Sequence, residues 1–202
     1  MFHDVFSKLF VICEWIMRLA ILNILFVFFS CVGLIIFGIA PAYTAMSAIF
    51  KRLYEGQEVS IIPSFYHVFK AEFFKSNKFG LLYSYFILLL FVNFLFIQTL
   101  PAQLQTVAMF IIILFAILLL MSFIYIFPLY LKFETTTWRL IKNSFYVSLA
   151  FLPRTLLTIF LIIGLLALCI YQPILIFIFG FSTLSAITLI NSTDCLLKIQ
   201  SS

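Results

Sequence analysis

Two charge pairs at helical spacing are the residues of this chain best placed to do chemistry inside a membrane. Glu14 and Arg18 stand four residues apart, as do Asp194 and Lys198. Each pair shares one face of a helix. A carboxylate and a cation held within lipid could relay an ion or a proton, because intramembrane charge is costly and tends to be kept for function. Both pairs fall near the ends of apolar runs, where charges reach headgroups, so a structural role explains them more simply. A proton-driven carrier would place a carboxylate at mid-span, and Phe79–Leu100, Val107–Leu131 and Leu156–Tyr171 hold none. Among uncharged polar residues, Asn23, Asn93 and Asn191 lie inside apolar runs, and the last run adds Ser182, Thr183, Ser185 and Thr188. They could line a polar substrate path. Interhelical hydrogen bonds and close helix approach account for them more readily.

Other chemistries find no footing. The histidines are His3 and His67, with no HExxH and no Cys/His cluster. Cys13, Cys31, Cys169 and Cys195 lie within or at the ends of apolar runs without a CxxC pair. Such thiols behave as small hydrophobes. There is no GxSxG elbow and no P-loop, so the chain does not power transport with ATP by itself. An intramembrane enzyme would need Asp194 grouped with a histidine, and His67 lies in a distant connector. No catalytic residue, cofactor or metal ligand is therefore assigned, and no enzyme activity is expected.

The elements that carry these residues are set by composition. The chain is 65% hydrophobic and 9% charged, against roughly 25% charged in soluble domains. Apolar runs of roughly 18 residues or more are membrane-span candidates, and long runs without period-2 alternation must be helices that satisfy their own backbone. The fold class is all-α: a polytopic helical membrane protein, one integral domain over 1–202. Its spans are expected at about 9–31, 79–100, 107–131, 156–171 and 173–197. The 28 phenylalanines are expected to be lipid-facing bulk. No cleavable signal peptide is expected, since Met1–Lys8 is mixed in charge and the run behind it is too long.

The first run, from Ile16 to Phe50, is broken by Gly33, Gly38 and Pro41, which are helix punctuators and form a candidate structural turn. It could cross once. The preferred alternative is a hairpin, with one helix at about 9–31 and a short return arm at about 42–54. The apolar stretch of that arm, Ala42–Phe50, spans roughly 14 Å and cannot cross alone. Basic residues decide between the two. The gaps holding Lys51, Arg52, Lys70, Lys75 and Lys78, and then Lys132, Arg139, Lys142 and Arg154, alternate with gaps that hold none. The positive-inside rule puts the basic gaps and the C-terminus in the cytoplasm. Only the hairpin brings Lys8 and Arg18 to the same side. The net charge of +5 is thus explained by orientation and anionic lipid rather than by nucleic acid.

The two long connectors, Lys51–Lys78 and Lys132–Thr155, read as interfacial amphipathic helices. Phe65, Val68, Phe69 and Phe73 share one face of the first, with His67, Lys70 and Lys78 opposite. Phe133, Thr137, Leu140, Ile141 and Phe145 share a face of the second, with Lys132, Arg139, Lys142 and Asn143 opposite. They could anchor the chain in lipid. They could also dock a partner, for which Lys70, Lys75, Lys78, Arg139, Lys142 and Asn143 form the candidate surface. The two halves echo each other loosely, Phe74-Lys75-Ser76-Asn77 against Ile141-Lys142-Asn143-Ser144.

Several strings resemble the YesL family. They are Asn23-Ile24-Leu25, Gly38-Ile39-Ala40-Pro41-Ala42, Ala45 through Lys51-Arg52-Leu53 and Gly56, then Phe65, Phe69-Lys70 and Phe73. Phe127-Pro128-Leu129, Phe133, Ile141-Lys142-Asn143 and Pro153-Arg154-Thr155 follow in order. The likeness covers about residues 15–160. Cys31-Val32-Gly33-Leu34-Ile35-Ile36-Phe37 departs from the extra proline and threonine common in that family. The resemblance implies a small polytopic protein of the bacterial plasma membrane, found mainly in Firmicutes and often encoded beside carbohydrate ABC transporters. It implies no catalytic residue. The leading expectation is an accessory or regulatory partner of sugar ABC transporter subunits. The alternative is a small transporter working alone or as an oligomer.

Overall fold

The computed structural model describes the backbone of residues 2–133 and 136–200 and the side chains of residues 8–101, 103–133 and 136–193. Its elements are α1 (Phe2–Val32), α2 (Ile39–Tyr54), α3 (Ile61–Ile97), α4 (Ala102–Lys132), α5 (Thr137–Ala150), α6 (Leu152–Tyr171) and α7 (Phe181–Gln200), with a π-helical turn at Ile176–Gly180 leading into α7. Five stretches are long and apolar enough to cross a bilayer: Lys8–Val32, Ile61–Ile97, Gln103–Lys132, Leu152–Tyr171 and Ile176–Thr193. The chain is an all-α, multi-pass membrane protein.

The first run is a hairpin. Gly33 and Gly38 meet back to back at its turn: a Cβ on Gly33 would lie 2.4 Å from the Gly38 Cα, and one on Gly38 would lie 2.3 Å from the Ser30 carbonyl oxygen. Only glycine admits that approach. Between them Leu34 and Ile35 both adopt left-handed backbone, with φ of 59°. For β-branched Ile35 this conformation is strained. The amides of Gly33, Leu34, Ile35, Ile36 and Gly38 all donate to carbonyls within the turn or the end of α1. These five amides are thereby satisfied internally, which is what an exposed apolar tip in lipid favours.

The return arm α2 is 16 residues long, about 24 Å. That is short of the roughly 30 Å hydrocarbon core. It is buried instead among α1, α3, α4 and α7. Ala40, Ala42, Ala45 and Ser47 let its neighbours approach closely, and Met46 and Ile49 are fully buried. Hydroxyl pairs stitch the packing together. Ser76 donates to Thr44 at 3.0 Å, and Ser47 meets Ser185 at 2.8 Å. Tyr83 meets Ser122 at 2.6 Å, and Tyr125 meets Thr155 at 3.0 Å. Around them lies an aromatic core, with Tyr43 and Phe127 centroids 4.3 Å apart, Phe26 and Phe181 4.6 Å, and Phe29 and Phe65 5.2 Å. The phenylalanines thus form two populations. Phe110, Phe115 and Phe160 are exposed, whereas Phe26, Phe65, Phe79 and Phe127 are core.

The first amphipathic connector differs from its expected form. It is the opening half of α3, a continuous helix of 37 residues that is longer than a span needs. Its aromatic face does not lie on lipid. Phe65 and Phe69 are buried against Phe29 of α1. Aromatic periodicity marks a buried face, and protein competes with lipid to cover it. The second connector is a separate helix, α5, packed back on α4 through Leu140, Ser144 and Val147.

Candidate functional site

Basic residues of α2 and α4 gather where those helices end. Lys51 and Arg52 occupy the last turn of α2, and Lys132 the last turn of α4, positions where cations complement the helix dipole. α3 passes between these ends, and a cavity of about 920 Å³ opens among α2, α3, α4 and the α4–α5 connector. Ala48, Val68, Ala71 and Leu131 form apolar parts of its wall. Arg52, His67, Glu72, Lys75, Tyr130 and Lys132 supply the polar part.

The electrostatics of this cleft are unbalanced. Its described lining holds three cations, Arg52, Lys75 and Lys132, against the single carboxylate of Glu72; Glu134 of the adjoining connector lies outside the described residues. The Tyr130 hydroxyl donates to Glu72, and Lys75 stands 4.0 Å from the same carboxylate. At the margin Lys51 is 3.9 Å from Glu55 and donates to the Leu131 carbonyl at 3.5 Å. Lys51 is also close enough to Lys132 for their charges to repel. Lys132 lies 5.8 Å from the Phe133 ring centre.

A second hollow, of about 380 Å³, is of opposite character. It lies among α3, α4 and α5, lined by Tyr83, Phe86, Phe115, Leu118 and Trp138, with Lys142 as its one charged residue.

The six residues of the expected docking surface are all exposed, but they are divided. Lys75 lines the basic cleft, whereas Lys142 borders the apolar groove and sits 5.8 Å from the Tyr146 ring. Lys70, Lys78, Arg139 and Asn143 line neither cavity. The cleft residues Arg52, His67 and Lys132 were not singled out by sequence as a group. Their sequence signals are separate: Arg52 and Lys132 follow apolar runs, and His67 and Lys132 fall on the polar faces of the two connectors.

The three asparagines do not converge. Asn23 is fully buried and clamps the π-helical turn. Its amide donates to the Ile176 and Phe177 carbonyls at 3.1 and 2.6 Å, and its oxygen accepts from the Phe181 and Ser182 amides at 2.9 and 3.1 Å. Asn93 is exposed and donates to Leu89 of its own helix. Asn191 donates to Ile187. The polar path named above is therefore not assembled. Arg18 donates to Glu14 in a half-buried pair and lies 5.5 Å from the Trp15 ring centre. Cys13, Cys31 and Cys169 are free thiols. The Asp194–Lys198 pair and Cys195 fall on side chains outside the described ones.

Comparison with known proteins finds one family and several relatives in Bacillus subtilis. Residues 19–94 match the family described as "Protein of unknown function, DUF624". The uncharacterized protein YteU of Bacillus subtilis (strain 168) is 32% identical over 190 residues, covering 93% of this chain and 85% of the relative. YesL of the same organism is 29% identical over 189 residues, covering 93% and 88%. YesV is 32% identical over 123 residues, 60% of this chain and 59% of the relative. No solved structure matches. With a family match at residues 19–94 and a likeness to YteU at 32% identity over 93% of its length, the chain belongs to the DUF624 family.

Proposed function

We propose that this protein is a non-enzymatic accessory or regulatory component of a carbohydrate uptake system, seated in a bacterial plasma membrane with its basic connectors and C-terminus in the cytoplasm. The observation that carries this reading is an asymmetry. Lys70, Lys75, Lys78, Arg139 and Lys142 of the two long connectors are exposed, whereas Asn23, Ser47, Ser76 and Tyr83 inside the helices are occupied by internal hydrogen bonds. A surface for partners is thus supported, and the asparagine path of a stand-alone transporter is not. The choice of sugar ABC transporter subunits as partner rests on the family resemblance alone.

Cross-linked recovery of the tagged protein from its native membrane, read by mass spectrometry, tests it. Permease or ATPase subunits of a sugar transporter should be recovered, and the Arg139→Glu/Lys142→Glu variant should lose most of them while still reaching the membrane. Recovery of the protein only with itself would contradict the accessory role and turn the question to uptake in proteoliposomes.

A further inference from the structure

We infer that the basic cleft between α2, α3 and α4 binds a phosphate-bearing anion, either the headgroup of an anionic phospholipid or a soluble phosphorylated small molecule. This goes beyond the docking role and does not depend on it. The cavity of about 920 Å³ is at the upper end of the roughly 300–1,000 Å³ range of ligand pockets. Arg52 and Lys132, 80 positions apart in the chain, reach it from α2 and α4. Neither has a carboxylate partner among the described residues. Glu72, the described carboxylate of the lining, is already taken by the Tyr130 hydroxyl and by Lys75. Arg52, Lys75 and Lys132 line one cavity, and Lys51 at its margin, 3.9 Å from Glu55, adds a further positive charge near Lys132. Gathering like charges at one place raises free energy, and an anion seated between them lowers it. A guanidinium fork beside an ammonium point charge is the donor set that suits phosphate oxygens. The alanine and valine wall leaves room for an apolar body beside the phosphate. Three cations around one cavity are too few and too local for a nucleic acid track.

The test uses the full chain in nanodiscs of neutral phosphatidylcholine. Inorganic phosphate is titrated against chloride at matched ionic strength, following thermal unfolding. In a second arm phosphatidylglycerol is added to the discs and retained lipid is counted by native mass spectrometry. The protein should respond to at least one probe. Arg52→Gln/Lys132→Gln should weaken that response by about tenfold or more. Lys70→Gln/Lys78→Gln, an equal loss of charge outside the cleft, should leave it intact. Response to phosphate alone would mark a soluble ligand, and response to phosphatidylglycerol alone a lipid headgroup; either supports the site. Lys75→Gln, whose side chain is 70% exposed and whose folding is not at risk, should cost a few-fold. No response to either probe, or equal losses in the two double variants, would overturn the inference.

Discussion

Among the five spans, Gln103–Lys132 is the most apolar, with a mean hydropathy of 3.2, yet only 17% of its central window is buried inside the protein. α2 contains a lysine, an arginine, a threonine and a serine, and it is buried over most of its length. The contrast follows from the solvent. Between two apolar helices in lipid there is no hydrophobic driving force, because acyl chains cover leucine as well as protein does. Small residues and hydroxyls gain from protein contact what they cannot gain from lipid, so they make the core. Ile176–Thr193 has the lowest mean hydropathy of the five, 1.5, and the largest buried share, 33%, although Ile61–Ile97, at 2.2, has the smallest, 11%.

That contrast can be broken at its hinge. Gly38→Val should have the largest effect, about 3 kcal/mol or more, because the new side chain would meet the Ser30 backbone. Reversible denaturation of the purified protein in mixed micelles measures it. A smaller difference should separate Met46→Ala in α2 from Phe110→Ala in α4. The first opens a void in a fully buried position and should cost about 2 kcal/mol. The second removes a lipid-facing ring and should stay within about 0.5 kcal/mol.

The asparagines sharpen the same point. Asn23→Leu leaves the Phe181 and Ser182 amides without their acceptor and should cost about 2 kcal/mol. Asn93→Leu should be within about 0.5 kcal/mol, since Asn93 is exposed and bonds only to its own helix. The smallest effect is the coupling between Ser47 and Ser185, 2.8 Å apart. A double-mutant cycle with alanine at both should return about 0.6 kcal/mol.

Much of the fold was legible because lipid imposes simple rules. Long apolar runs gave the five crossing helices, and Gly33, Gly38 and Pro41 marked the hairpin. Hydropathy could not say which apolar face meets protein, so the burial of Phe65 and Phe69 and the central place of α2 were hidden. Asn23 was visible as a polar residue in a span, but its clamp on the Ile176–Gly180 turn joins residues more than 150 positions apart and has no local signature. The basic cleft was hidden for the same reason. Arg52, Lys75 and Lys132 each read as a charge flanking a span, and only the packing of three helices makes them neighbours.

The functional claim divides the molecule in the same way: α5 should meet a protein partner and the exposed part of α4 should meet lipid. Site-directed photo-cross-linking in native membranes tests this directly, with a photoreactive residue placed at Arg139 or at Phe110. Position 139 should give discrete protein adducts containing sugar-transporter subunits, and position 110 lipid adducts alone. Protein adducts from 110 with none from 139 would contradict it.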